Sequence, residues 1–504
     1  MIFKNNDRKI EKFKLITVLL LALYYVGIAV IDGPVWCVDT ESYVAMDFSR
    51  EPVYPLFLLI LRSLFEMLHI TGKLYNLPAY LTMAVFLQSI LWIWATSYLG
   101  FYILDINNYI GEKKAKFISV MAMLLQVSVA GINRFVANRG SMYSESLMTE
   151  SLAMPLYVIF TVELVKSFEK YDRKSLLKLF ILSILICSIR KQMLVVLVTW
   201  GLSSFVIHLF VKKHRDLKKF LLTCILVTLS YMSITIVDCS YNYFIRGVFS
   251  AHTGNSKGGF DTLLYTATAD DAKLFINADY EEFPDIENVF LNIYSTCQSK
   301  ELTIDYAPGY ELKEKSNIFN SDWVDMASHY ADSYDVIGFD VVLPILEKYV
   351  NDYFPELDYV QSRIKQDQVE TYLFKTLMKQ RFIDIINGND RGVIYVLSAN
   401  VIKAFIISNA NMSPRILIPI SGLIYVAFVI VFFTLCFLKK PSIRGCIIRM
   451  MFIVALGIFV NCLVTGSMIF PQPRYMCYGM GLFYFVALWG IGIQLLEGAE
   501  HEVK

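Results

Sequence analysis

Apolar and polar positions along this chain fall into long blocks, not into the short periods of a soluble amphipathic fold. Runs of roughly 17 to 25 mostly apolar residues recur, the length a helix needs to cross about 30 Å of hydrocarbon. The blocks predict spans at 14–31, 80–103, 117–132, 145–167, 176–189, 192–211, 219–240, 416–438, 447–470 and 474–495. Residues 53–70 are apolar but interrupted by Arg62, Glu66 and His69, which predicts a helix lying on the membrane surface. Residues 245–413 hold 25 acidic against 14 basic residues, yet keep Trp323, many Tyr and Phe, and apolar spacing such as VVLPILEKYV. They predict a folded, mostly helical domain, not a disordered linker. The fold class expected is therefore an all-α polytopic membrane protein, a bundle of about 10 transmembrane helices. Its parts are a membrane module at 1–244, with a first outer loop at 32–79, the polar domain at 245–413 and the last helices at 414–504.

Composition agrees with this class. Hydrophobic residues make up 56% of the chain and the mean hydropathy is +0.50, too apolar for a soluble protein of several domains. The run at 14–31 is followed by no small-x-small cleavage pattern, so it predicts a retained span. The nine cysteines are scattered, without a CxxC pair or a Cys/His spacing suited to zinc. Net charge is only +1, and no basic stripe points to nucleic acid.

The distribution of charge sets the threading. Lys4, Arg8, Lys9, Lys12 and Lys14 place the N-terminus in the cytoplasm by the positive-inside rule. Lys113, Lys114 and Lys116, then Lys166, Lys170, Arg173, Lys174 and Lys178, then KKHRDLKK at 212–219 and KKPSIRGCIIR at 439–449, mark further inner loops. Spans 176–189 and 192–211 then form a hairpin with its turn outside, both termini are cytoplasmic, and 245–413 is extracytoplasmic. With this threading the remaining polar residues gather at one outer boundary. Asp39 and Glu41 follow the first span; Arg134, Arg139 and Glu145 lie between the third and fourth, with Glu150 one turn further in; Arg190, Lys191 and Gln192 form the hairpin turn; Arg474 and Tyr475 lie between the last two spans. Any single one of these could be a snorkelling residue at a helix end. As a set they are less easily dismissed, because five basic residues in short outer loops oppose the usual bias. Carboxylates and cations at one membrane face suit a reaction on a phosphorylated lipid: a carboxylate takes a proton from an acceptor hydroxyl, and cations stabilise a phosphate leaving group.

The stretch VDTESYVAMDFSREPVYPLFLLILRSL at 38–64 resembles the first outer loop of the GT-C glycosyltransferases, integral-membrane enzymes that use polyprenyl-phosphate sugars, of the protein O-mannosyltransferase and lipid A aminoarabinose transferase type. Asp39, Tyr43, Pro52, Tyr54 and Pro55 match that pattern. FLQSILWIWATSYLGFYIL, SMYSESLMTESLAMPLYVIF, CSIRKQMLVVLV and PRYMCYGMGLFY are similar to later family segments, so the likeness covers about 1–211 and 414–495 in order. Two departures are plain: Lys191 stands where the family often has proline, and the acidic motif is Asp-x-Glu, not adjacent Asp-Glu. The resemblance implies sugar transfer from a polyprenyl-phosphate donor to a lipid-, glycan- or protein-linked acceptor at the extracytoplasmic face of a bacterial plasma membrane. It further implies a catalytic Asp39, with Glu41 as a second acid, hydrogen-bond partner or metal ligand. The other boundary residues, with Tyr43, would bind substrate. A divalent cation, Mg or Mn, is the one cofactor left open, since two carboxylates are too few ligands to define its site. Two other readings stand beside this one, an O-antigen-type polymerase or ligase acting on lipid pyrophosphates, and a transporter or flippase. The last would favour mid-membrane charges and repeated halves.

Overall fold

The computed structural model describes residues 2–135, 142–276, 281–308, 323–389, 392–411, 417–437 and 443–502. The described chain is mostly helical, with one two-stranded ribbon, β1 (Lys73–Leu74) with β2 (Leu77–Pro78), among its connections. The helices divide between two compact units.

The first unit comprises residues 1–241, 406–461 and 473–504. It opens with α1 (Ile2–Asp32), the short α2 (Thr40–Val44) and α3 (Val53–Met67). There follow α4 (Ala79–Asn107), α5 (Glu112–Phe135), α6 (Glu150–Glu169), α7 (Arg173–Ile189), α8 (Val195–Phe205) and α9 (Leu217–Arg246). From Glu150 to Val165 every residue of α6 is buried, whereas α1 and α9 leave rows of Leu and Ile uncovered. That contrast is expected of an inner helix ringed by helices that face lipid.

Inside α6, Pro155 lacks the N–H that would bond to the Ser151 carbonyl. Trp92 of α4 supplies the missing donor, its indole Nε1 lying 3.0 Å from that oxygen. The helix stays continuous through a proline because a neighbour satisfies the freed group. Ion pairs fix the α6–α7 register: Arg190 meets Glu150 at one end and Lys178 meets Glu163 towards the other, so the two helices run antiparallel.

The second unit comprises residues 242–405 and 462–472. It contains α10 (Lys257–Tyr265), α11 (Ile286–Ser299), α12 (Trp323–Asp335), α13 (Leu343–Tyr353) and α14 (Tyr359–Ile386), around a core that includes Phe260, Phe290, Tyr330 and Leu373. A π-helical turn, Val336–Val342, joins α12 to α13. Asp358 caps α14, accepting from the Gln361 N–H at 2.8 Å. Arg381, 2% exposed, is neutralised by Asp271 and Asp384 at 2.5 and 3.1 Å. Last come α15 (Val393–Ala410), α16 (Leu417–Phe437), α17 (Ile443–Met468), α18 (Pro473–Met476) and α19 (Met480–Glu502).

Among the described residues, ten helical stretches are long and apolar enough to cross a membrane, and the chain is an all-α, multi-pass membrane protein. The number equals the expectation but the membership differs. Val393–Ala410 belongs to the set, although the net acidity of 245–413 assigned it to the polar domain. A charge count over a long segment hides a short apolar run at its end. Conversely α7, with 17 residues and a first turn bearing Arg173 and Lys174, falls outside the set. Residues 53–70 form the helix α3, which is also outside it.

Candidate functional site

Two loops of the first unit are stitched together before any charge is placed. The Val35 N–H donates to the Glu145 carbonyl at 3.1 Å and the Leu147 N–H returns a bond to Val35 at 3.0 Å. Thr40 Oγ1 donates to the Leu147 carbonyl, and Gln88 of α4 reaches the Ser144 and Ser146 carbonyls at 3.2 and 3.0 Å. Asp39 is the residue before α2, so this stitching holds its backbone against the entry of α6. Asp47 then caps the following turn through Ser49, delivering Arg50 back towards Asp39.

Asp39 is gripped from both sides. Its Oδ1 lies 2.9 Å from Arg50 Nη2 and its Oδ2 lies 2.6 Å from Arg474 Nη1. Arg474 also approaches Glu150, at 3.9 Å through Nε, and donates to the Tyr475 hydroxyl at 2.9 Å. Glu150 is held by Arg190 at 2.5 Å, and Arg190 donates to Thr149 Oγ1 at 3.0 Å. The Tyr475 ring lies between two guanidinium groups, 4.5 Å from Arg190 and 4.9 Å from Arg474. Tyr43 is buried, with Arg50 over its ring at 4.8 Å and Tyr54 edge-on at 5.1 Å. Arg50, Arg190 and Arg474 thus face Asp39 and Glu150 in a half-buried, aromatic-walled site. Burial alone would push the Asp39 carboxyl up, but Arg474 and Arg50 outweigh it and hold the group below the ordinary aspartate range.

The remaining expected residues are distributed unevenly. Gln192 donates to Asn461 Oδ1 at 2.9 Å and to the Tyr475 carbonyl at 2.8 Å, bracing the Arg474–Tyr475 turn. Lys191 joins through its backbone, its N–H donating to Glu51 Oε1 at 2.7 Å. Arg134 pairs with Asp32 and lies 3.7 Å from Glu145. Glu145 is buried, which pushes its carboxyl up against the opposing pull of the Met142 N–H and Arg134. Glu41 is exposed, and a side chain two residues along a helix start does not face that of Asp39. Arg139 lies outside the described residues.

The expected Asp39–Glu41 carboxylate pair therefore does not form one site. With Glu41 turned away and both Asp39 oxygens held by arginines, these two side chains do not fit a divalent cation. Among the described residues no group of three or more His, Cys, Asp or Glu side chains could hold a metal ion. The sequence reading missed Arg50, Glu51 and Asn461. Arg50 carried a usable signal, a basic residue in an outer loop, the same property that drew attention to Arg134 and Arg190. Compared with protein-family models, curated proteins and solved structures, the chain matches none.

Proposed function

We propose that the chain is a glycosyltransferase that moves a sugar from a polyprenyl-phosphate donor to an acceptor hydroxyl at the extracytoplasmic membrane face. The observation that carries this reading is the Asp39 carboxylate bridged by Arg50 and Arg474 beside the Arg190–Glu150 pair. Donor phosphate and Asp39 would compete for the same guanidinium groups. With the donor absent the arginines hold Asp39 ionised and weakly basic. A phosphate taking up Arg474 and Arg190 loosens that grip, so Asp39 gains basicity as the substrate arrives. Asp39 then accepts the acceptor's hydroxyl proton, the acceptor oxygen forms its bond to the anomeric carbon, and the bond from that carbon to phosphate oxygen breaks. The electron pair leaves with the phosphate, whose growing charge the arginines stabilise. One displacement inverts the anomeric centre.

The test is to incubate purified protein with a panel of polyprenyl-phosphate sugars and candidate acceptors, and to follow free polyprenyl phosphate by mass spectrometry. Release that needs both acceptor and Asp39 supports the reading. Release of polyprenyl pyrophosphate from pyrophosphate-linked glycans would move the chain to the polymerase or ligase class, and translocation without release to the transporters.

A further inference from the structure

We propose that the C-terminal half of α14 lies on a phospholipid surface, with its apolar stripe in the headgroup boundary and its lysines on anionic headgroups. This rests on neither the glycosyltransferase reading nor its site. The core face of α14 carries Val369, Leu373, Leu377 and Arg381, all buried. The opposite face changes character along its length. Gln361 and Gln368 are exposed and polar, as an outward face should be. From Lys375 onwards the same face presents Met378, Lys379, Phe382, Ile383 and Ile386, with Phe382 66% and Ile386 68% exposed. Their spacing of three and four residues makes one stripe about 16 Å long.

Uncovered aromatic and aliphatic side chains on a water-facing helix need an occupant. Two features select lipid. The charged members of the stripe are both lysines, without a carboxylate among them, so the complement is anionic; their stems can lie along the apolar residues while the ammonium groups reach phosphates. The stripe also runs on towards the apolar helix α15, whose first turn exposes Ile394 at 48%. A second copy of this chain is the weaker occupant, because symmetric pairing of the stripe would set lysines against lysines.

The experiment uses full-length protein in nanodiscs containing phosphatidylglycerol, with the accessible native residues Cys37, Cys224 and Cys436 replaced by alanine. Phe382→Cys and, separately, Gln368→Cys are labelled with an environment-sensitive fluorophore. Spin-labelled lipids carrying the quencher near the headgroup should dim the 382 label at least about twofold more than the 368 label, and less so in neutral discs. Equal quenching at the two positions, or none at 382, overturns the proposal. Emission at 382 that shifts only when two copies share a disc also overturns it, in favour of self-association.

Discussion

At the scale of single residues the site turns on a carboxylate that its neighbours keep ionised. A general base works best when its affinity for protons is near that of the working pH. Asp39 in its two arginine contacts sits below the ordinary range. Arg50→Ala removes one contact and must raise the Asp39 value, since an opposite charge favours the ionised form. The acid limb of the pH–rate profile, which reports loss of the Asp39 anion, should therefore move to higher pH, while Asp39→Asn stays inactive throughout. An unmoved limb in Arg50→Ala would detach the base from Asp39. Arg190 and Lys191 separate equally clearly. Arg190 uses its guanidinium on Glu150, Thr149 and the Tyr475 ring, and Lys191 places its backbone N–H on Glu51. Arg190→Ala should lower turnover about a hundredfold and weaken binding of polyprenyl phosphate, with a smaller loss for Lys191→Ala. Equal losses in the two variants would remove Arg190 from the phosphate site.

At the scale of elements, the apolar blocks made most helices legible, because membrane length and hydropathy are properties of a run and survive imprecise boundaries. What stayed hidden depends on partners distant in sequence. The α6 proline reads as a breaker, and nothing local reveals that Trp92 answers its carbonyl. Arg50 and Asn461 were missed for the same reason: each acquires its role from a residue on another element. The proline contact makes a sharp test. Trp92→Phe leaves the buried Ser151 carbonyl without a donor and should cost about 1–3 kcal/mol of thermal stability in detergent. Adding Pro155→Ala restores the helix's own N–H and should recover part of that loss. A second substitution that only adds to the first would discard this account of α6.

In the second unit, Asp261 of α10 is fully buried, and Gly338 of the π turn leaves it room where a Cβ would stand 2.4 Å from Oδ2. Burial first, then Glu370, raises Asp261 well above the ordinary range, with Lys257 opposing and Asp335 adding to the rise. Burial also pushes Glu370 of α14 from 4.5 up to about 7, against Lys257 and Arg363 and with Asp367 reinforcing it. The folded state thus holds protons that the unfolded chain has released, so stability from Glu370 is complete below about 4.5 and is lost as pH rises to about 7. The loss should be on the order of 3 kcal/mol, read as hydrogen-exchange protection of α10 and α14 in the full chain, corrected for intrinsic rates. Glu370→Gln should flatten this slope; a variant as steep as wild type would contradict it.

At the scale of the whole molecule, four described arginines near helix ends are paired with carboxylates. Arg50 and Arg474 meet Asp39, Arg134 meets Asp32, and Arg190 meets Glu150, so their loops present little net positive charge. Other contacts order the helix ends along α6. Arg190 at the end of α7 meets Glu150 at the start of α6, so α7 runs back along α6. Tyr171 donates to the Lys219 carbonyl, which puts the start of α9 at the far end of α6, opposite Asp39. Arg449 near the start of α17 reaches Glu169 at that same end, at 3.3 Å. The starts of α9 and α17 therefore both lie at the end of α6 away from Asp39. By the positive-inside rule we propose that the basic run at 439–449 is cytoplasmic and that Asp39 lies on the outer side. The position to probe is not Ser256, which looks exposed in sequence but is buried and bonded to Thr371 at 2.7 Å. Ser299→Cys, at the exposed end of α11, should react with an impermeant maleimide in intact cells, as read from the mass of its tryptic peptide. Ser442→Cys, in the basic run just before α17 in sequence, should react only after permeabilisation. Labelling of both in intact cells would contradict the proposed orientation, and labelling of Ser442→Cys alone would invert it.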